Sequence, residues 1–175
     1  MLDYAMGGRE DNLRPFHRTN LILHVANTAL VVVLLYQLFG QVWPAVLVGL
    51  LFGIHPLTVG RVVWVTERKT VLTAFFALWS LVLYVRYART QSWKIYCVCL
   101  LTYVLALLSK PTSLPLPAVM LLLDYWPLRR LSRRAIWEKL PFFAIAALHL
   151  VIAYISFKHT APIVTMGEPG AMRIP

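Results

Sequence analysis

Long apolar segments, separated by short charged or proline-containing breaks, dominate the pattern along this chain. A helix needs about 20 apolar residues to cross the core of a bilayer, and the longest segments reach that length. We predict six spans, at roughly 16–39, 44–54, 71–85, 93–109, 114–126 and 140–157. The predicted fold class is therefore all-α, a polytopic integral membrane protein with about five or six hydrophobic helical segments.

Three other segments flank or interrupt this transmembrane helical domain, which covers 16–157. Residues 1–15 are polar and are predicted to end an extracytoplasmic loop, so they are not a signal peptide. Residues 57–69 are amphipathic and too polar to cross a membrane. Residues 158–175, rich in proline and glycine, are predicted to be a truncated extracytoplasmic tail.

Composition excludes a soluble domain. Hydrophobic residues make up 59% of the chain and charged residues 14%, with a mean hydropathy of +0.68. The net charge is +10, yet the basic residues mostly lie at the ends of apolar segments, where they meet lipid headgroups. This placement argues for membrane lipid as a partner and against nucleic acid. Cys97 and Cys99 lie inside an apolar segment and are interpreted as small hydrophobic residues.

Clustered basic loops set the predicted orientation. Arg86, Arg89 and Lys94 lie on one side, together with the basic stretch 129–139, and short positive loops tend to remain cytoplasmic. Residues 55–69 and Lys110 then lie on the outer face. Membrane insertion disfavours cations on the outer face, so a functional role would explain why these residues are retained there.

One polar face stands out in the first span. His17, Asn20, His24 and Asn27 follow one another at intervals of three, four and three residues, which places them on one side of a helix. Polar side chains in a membrane helix normally face the bundle interior or a water-filled cavity. Two interpretations stay open: hydrogen bonds between helices, and one wall of a substrate cavity.

A second group of candidates follows the second span. His55 precedes a proline, and Glu67, Arg68 and Lys69 come directly before the third span. They are either interfacial anchors or binders of a phosphate, for which arginine offers a bidentate fork and lysine a mobile charge. Glu67 either orients the neighbouring cations or acts on a substrate hydroxyl. Lys110 is predicted to lie on the same side.

Other polar residues are weaker candidates for a catalytic or binding site. Asp124 is predicted to pair with Arg129 or Arg130 at the membrane interface. No spacing typical of metal ligands, a phosphate-binding glycine loop or a nucleophile with its base is present. No cofactor is identified, although a divalent metal ion is left open.

Several longer motifs resemble one family of membrane enzymes. They are FHRTN at 16–20 with His24 and Asn27, HPL at 55–57, VWVTERKTVL at 63–72, LSKP at 108–111, LLLDYWPL at 121–128 and WEKLPFF at 137–143. In this order they are similar to the GT-C type of glycosyltransferases, in particular the O-mannosyltransferases that bear tetratricopeptide repeats. The exact residues of these motifs resemble those of bacterial members of the family.

The resemblance implies a GT-C-like fold and a hexosyltransferase that takes a sugar from a polyprenyl-phosphate carrier. The sugar, such as mannose, passes to a protein or glycan acceptor on the periplasmic or lumenal side, which implies a bacterial inner membrane with the site facing the periplasm. By that resemblance Arg68, Lys69 and Lys110 bind the carrier phosphate. The expected lining residues are Glu67, His55, His17, His24 and Asn20.

Two departures from the family pattern bear on activity. The family's first helix and the acidic residue of its first outer loop, its general base, are expected upstream of this sequence, which resembles a fragment. Asp3, Glu10 and Asp11 do not match the position of that base. Gly60 also stands where the family carries a glutamate. The chain alone is therefore expected to be inactive.

Two other function classes remain. The first is a non-enzymatic membrane anchor or assembly module of a repeat protein, or an inactive remnant, which predicts no binding of polyprenyl phosphate. The second is a transporter, against which the absence of an inverted repeat argues.

Overall fold

The computed structural model of the protein describes residues 14–64 and 67–165. Over these residues the chain is helical and contains no strand. The elements are α1 (Arg14–Phe39), α2 (Val42–Ile54), α3 (Pro56–Val63), α4 (Arg68–Thr90), α5 (Trp93–Ser109), a 3₁₀ turn (Pro111–Ser113), α6 (Leu116–Tyr125), α7 (Arg133–Trp137) and α8 (Leu140–Thr165).

Within the described residues, three stretches are long and apolar enough to cross a membrane. They are Phe16–Phe39, Arg68–Thr90 and Arg133–Lys158. Val42–Ile54 and Trp93–Ser109 are shorter apolar helices. The predicted fold class, an all-α membrane protein, is confirmed.

Turn-forming residues explain several helix ends. Gly40 follows α1 with a φ of 71°, and Gln91 follows α4 with a φ of 53°. Both have the left-handed conformation that commonly ends a helix. Pro44 lies within the first turn of α2, where a missing backbone N–H costs no helical hydrogen bond.

α1 and α2 begin two residues before the predicted segments, and α4 and α8 extend well beyond theirs. α4 begins at Arg68 and ends at Thr90, so it includes charged residues that we assigned to loops. The last helix continues beyond 157 to Thr165, into the predicted tail, of which residues 166–175 lie outside the described part. A charged residue near a helix end can keep a helical backbone while its side chain reaches the lipid headgroups. The charged residues therefore indicate the membrane boundary, and the helix continues beyond it.

The long helix α4 forms the centre of the bundle. It packs along α1 on one side and α5 on the other, and α2 packs along α1. Gly49 allows the close approach of α1 and α2, because a Cβ atom there would collide with the Val32 side chain. Buried Tyr84, Tyr103 and Phe142 belong to the core cluster that joins α4, α5 and α8.

The two ends of the bundle carry different chemistry. At the Lys110 end, the last turn of α2 and the first turn of α4 lie near the middle of α1, and Lys110 follows α5. At the arginine end, α4 ends, α5 begins and residues 126–139 pack against both. The arginine end also includes the last turn of α1, whose Gln37 carbonyl accepts a hydrogen bond from Arg89.

Candidate functional site at the Lys110 end

The polar face of α1 is buried over most of its length. Asn20, His24 and Asn27 are 0%, 9% and 2% exposed. His17, one turn earlier, is exposed. The face therefore turns into the bundle from Asn20 onward.

Two members of this face contact neighbouring helices through hydrogen bonds. His24 Nε2 lies 2.9 Å from the carbonyl oxygen of Gly53 in α2. Asn27 Nδ2 donates to the carbonyl oxygen of Val71 in α4 over 3.0 Å. These bonds join three helices, which is the interhelical role that the spacing allowed.

The same side chains also line a cavity of about 110 Å³. It is bounded by His24, Asn27, Phe52, Thr58, Thr70, Val71 and Ala74. Asn27 Oδ1 is buried, and within the described part of the chain no hydrogen-bond donor reaches it. The cavity interpretation therefore also has a physical basis, since a buried amide oxygen without a donor favours a polar ligand or water.

An ion pair borders this cavity. Lys110 Nζ donates to Thr70 Oγ1 over 2.8 Å and lies 3.7 Å from Glu67 Oε2. Thr70 Oγ1 in turn donates to Glu67 Oε2 over 2.5 Å. The side chains of Lys110 and Glu67 are 38% and 43% exposed. Because Thr70 lines the cavity, its hydroxyl connects the cavity to a cation that solvent can reach.

Local structure explains how distant parts of the sequence meet here. Glu67 directly precedes α4, and Thr70 follows three residues later on the same side of the first turn. Lys110 follows the last residue of α5 and precedes Pro111, which cannot continue the helix. α5 runs antiparallel to α4, so its end lies beside the start of α4.

The other predicted site residues are not all part of this arrangement. His55 is exposed, and its Nδ1 accepts a hydrogen bond of 3.3 Å from the Leu57 amide, which caps α3. Arg68 is half-buried and Lys69 is exposed in the first turn of α4. Among the described contacts, none brings the side chains of His17, His55 or Lys69 to the cavity. Their roles in binding a substrate remain predictions.

Sequence reasoning missed two threonines. Thr58 lines the cavity and donates to the carbonyl oxygens of Phe52 and His55 over 2.6 Å and 2.8 Å. Thr70 lies three residues after Glu67, and this spacing at a helix start was a signal that we did not use. Nothing in the sequence around Thr58 indicated its position.

The prediction that Asp124 pairs with Arg129 or Arg130 is wrong. Its carboxylate is fully buried and pairs with Lys139, while both of its oxygens lie 2.6 Å from the Tyr84 hydroxyl. The guanidinium of Arg130 instead pairs with Glu138 over 2.6 Å. The Arg130 backbone stays close, since its N–H donates to the Asp124 carbonyl oxygen over 2.9 Å, but its guanidinium is directed to Glu138. The residue before α8, Lys139, supplies the cation that the Asp124 carboxylate meets.

The remaining candidates cannot be placed. Asp3, Glu10 and Asp11 lie outside the described residues. Within 14–64 and 67–165, no group of three histidine, cysteine or acidic side chains could hold a metal ion.

Parts of the chain are similar to known proteins. It is 33% identical over 100 residues to the protein O-mannosyl-transferase tmtc2 of Xenopus laevis, which covers 56% of this chain and 12% of that protein. To the Drosophila melanogaster protein O-mannosyl-transferase Tmtc2 it is 30% identical over 131 residues, 70% of this chain and 14% of the relative. To the human protein O-mannosyl-transferase TMTC2 it is 30% identical over 93 residues, 53% of this chain and 11% of the relative.

No family model and no solved structure matches the chain. The chain spans 11% to 14% of the length of the relatives named above. Over about half of its length or more, the chain is therefore distantly similar to protein O-mannosyl-transferases.

Proposed function

We propose that the chain is the central membrane part of a glycosyltransferase that transfers a sugar, such as mannose, from a polyprenyl-phosphate carrier. The acceptor is a hydroxyl of a protein or glycan on the periplasmic or lumenal side. The observation that carries the proposal is the position of Lys110, whose partly exposed side chain borders, through Thr70, a cavity lined in part by polar side chains. The similarity to protein O-mannosyl-transferases supports the same reaction class.

The charges at this end suit the phosphate of such a carrier. Lys110 offers three donors, and only part of this capacity is used by Thr70 and Glu67. Arg68 and Lys69 lie in the first turn of α4, where the helix dipole adds positive potential. Because these groups lie at a helix end and not in the bundle core, a carrier lipid in the membrane can bring its phosphate to them.

The cavity supplies uncharged polar groups next to those cations. His24, Asn27 and Thr58 can donate to or accept from hydroxyl groups of a sugar. In the transfer, the acceptor oxygen forms a bond to the sugar's anomeric carbon, the bond to the carrier phosphate breaks, and a base removes the acceptor proton.

The base is not assigned to a described residue. Glu67 is the one carboxylate at this end within the described ranges, and it contacts Lys110 and Thr70. We assign Glu67 to positioning Lys110. By the resemblance to the family, the proton would pass to an acidic residue of its first outer loop.

The orientation and the compartment are part of the same proposal. The excess of arginine on the loop after α6 favours a cytoplasmic arginine end and an extracytoplasmic Lys110 end. In a bacterium that places the site on the periplasmic side of the inner membrane. A divalent metal ion at the donor phosphate is left open.

The test uses the full-length protein that contains this segment, in lipid nanodiscs with a radiolabelled polyprenyl-phosphate sugar. We expect Lys110→Ala to lower the transfer rate about 100-fold, the usual loss when one charged donor to a reacting group is removed. Lys94→Ala, an exposed lysine at the other end, is the matched control and should leave the rate unchanged.

Equal rates for Lys110→Ala and the unaltered protein would contradict the phosphate-binding role. If the full-length protein neither transfers the sugar nor binds the carrier, the anchor or assembly module becomes the better account.

A further inference from the structure

The arginine end has a strongly positive surface because its cations far outnumber its carboxylates. Its ionisable residues are Arg86, Arg89, Lys94, Arg129, Arg130, Arg133, Arg134, Lys139, Asp124 and Glu138. Eight cations minus two carboxylates leave a net charge of +6.

Both carboxylates already have cationic partners. Asp124 is fully buried against Lys139. Glu138 is only 11% exposed and pairs with Arg130 and Arg134 over 2.6 Å and 3.4 Å. Asp124 therefore offsets no exposed cation, and among the exposed cations Glu138 offsets Arg134 alone within the described residues.

Six cations remain exposed around that core. They are Arg86, Arg89, Lys94, Arg129, Arg133 and Arg134. Within the described residues, no exposed carboxylate lies at this end. A surface of this kind attracts phosphate groups and repels cations.

Exposed tryptophans lie among these cations. Trp93, Trp126 and Trp137 are 71%, 57% and 70% exposed. Trp126 contacts Phe39 at the end of α1 and Trp93 stacks on Tyr96, so both are fixed at this end of the bundle. Tryptophan rings are enriched at the level of lipid headgroups, so they place the six cations at that depth.

The backbone around Arg129 adds a further observation. Arg129 has a φ of 49°, the left-handed region that glycine and asparagine adopt more easily. A non-glycine residue has a conformational cost in this region. Among the described contacts, the exposed Arg129 side chain has no internal partner. An external anion would compensate that cost.

We propose that the arginine end is a binding surface for the headgroups of anionic phospholipids, with the segment 129–134 as its centre. The phosphate groups pair with the exposed guanidinium groups, and the tryptophans lie among the headgroups. Arginine suits this role because its planar fork binds a phosphate through two hydrogen bonds. The proposal does not depend on the proposed enzymatic function.

The test is native mass spectrometry of the chain in detergent, titrated with equal amounts of phosphatidylglycerol and phosphatidylcholine. We expect the chain to retain phosphatidylglycerol in preference. Each arginine near an anionic membrane surface contributes about fivefold to affinity. The triple variant Arg129→Gln/Arg133→Gln/Arg134→Gln should therefore lose at least about tenfold of that preference.

A matched triple variant separates a site from general attraction. Arg14→Gln/Arg18→Gln/Lys158→Gln removes the same charge from exposed residues outside the arginine end and should keep the preference. Arg129→Gly should lower retention of phosphatidylglycerol without lowering the melting temperature, because glycine suits the left-handed backbone. The proposal is overturned if the unaltered chain shows no headgroup preference, or if the two triple variants lose it equally.

Discussion

Each end of this protein holds one lysine against one carboxylate, but the two pairs lie in different surroundings. The side chains of Lys139 and Asp124 are both 0% exposed. Those of Lys110 and Glu67 are 38% and 43% exposed. The same two kinds of charged group are therefore a structural element in one place and an accessible site in the other.

At the arginine end, burial makes the pair structural. Both oxygens of Asp124 lie 2.6 Å from the Tyr84 hydroxyl, and Lys139 donates to the same hydroxyl and to the carboxylate. Lys139 Nζ also lies 4.5 Å from the centre of the Tyr84 ring. A charge removed from water needs such complete pairing, so this cluster holds the end of α6 and the start of α8 against α4.

At the Lys110 end, partial exposure leaves the charges available. Water and ions reach the pair, which weakens its attraction and lowers the cost of exchanging one partner. A ligand phosphate can therefore compete with Glu67 for Lys110 without unfolding any helix.

Removing the buried cation should have the largest effect. Lys139→Met leaves Asp124 buried without its cation, and we expect it to lower the free energy of unfolding by about 3–5 kcal/mol. The measurement is unfolding in detergent, followed by circular dichroism. The double variant Asp124→Asn/Lys139→Met should recover most of the loss, and Lys94→Met, at an exposed site, serves as the control. A loss below about 1 kcal/mol would show that the buried pair does not stabilise this end.

The uncharged contact at the other end should matter less. Asn27→Ala removes the hydrogen bond from α1 to the Val71 carbonyl, and hydrogen bonds between membrane helices contribute about 0.6–2 kcal/mol. The same unfolding assay measures the loss. Val25→Ala is the control on the same helix, because Val25 is 60% exposed. If Asn27→Ala is as stable as the control, the polar face of α1 does not hold the helices together. Lining the cavity is then the better explanation of these polar residues.

The exposed pair should contribute least to stability. Lys110→Met is expected to change the free energy of unfolding by less than about 1 kcal/mol, because exposed ion pairs contribute little. The comparison of Lys110→Met with Lys139→Met in one experiment measures the contrast between the two ends directly. A loss as large as that of Lys139→Met would mean that Lys110 is structural.

Much of the fold was accessible from hydrophobic pattern alone. The bounds of α5 match the predicted segment 93–109, and the prolines near the start of α6 lie where a helix tolerates them. The polar face of α1 was likewise found from its spacing, because a helix places residues three and four apart on one side. These features depend on neighbours within one or two turns, so periodicity reveals them.

The site was only partly accessible. The sequence indicated Lys110 and Glu67 as residues of one end, since helix ends follow from counting spans. It could not indicate that Thr70 connects them, because this depends on the contact between α4 and α5. The wrong partner for Asp124 has the same origin, since closeness in sequence to Arg129 and Arg130 does not determine which cation a buried carboxylate meets.

The sequence by itself determined that this chain is an all-α membrane protein, which residues share the face of α1, and that cations cluster at the ends of its apolar helices. Hydrophobicity and helical periodicity are local properties, and a bilayer imposes them directly. Only the tertiary structure decided which lysine is buried and which is exposed. That difference depends on how α4, α5 and α8 pack, since burial of a charge is a property of its neighbours in space and not of its neighbours in sequence.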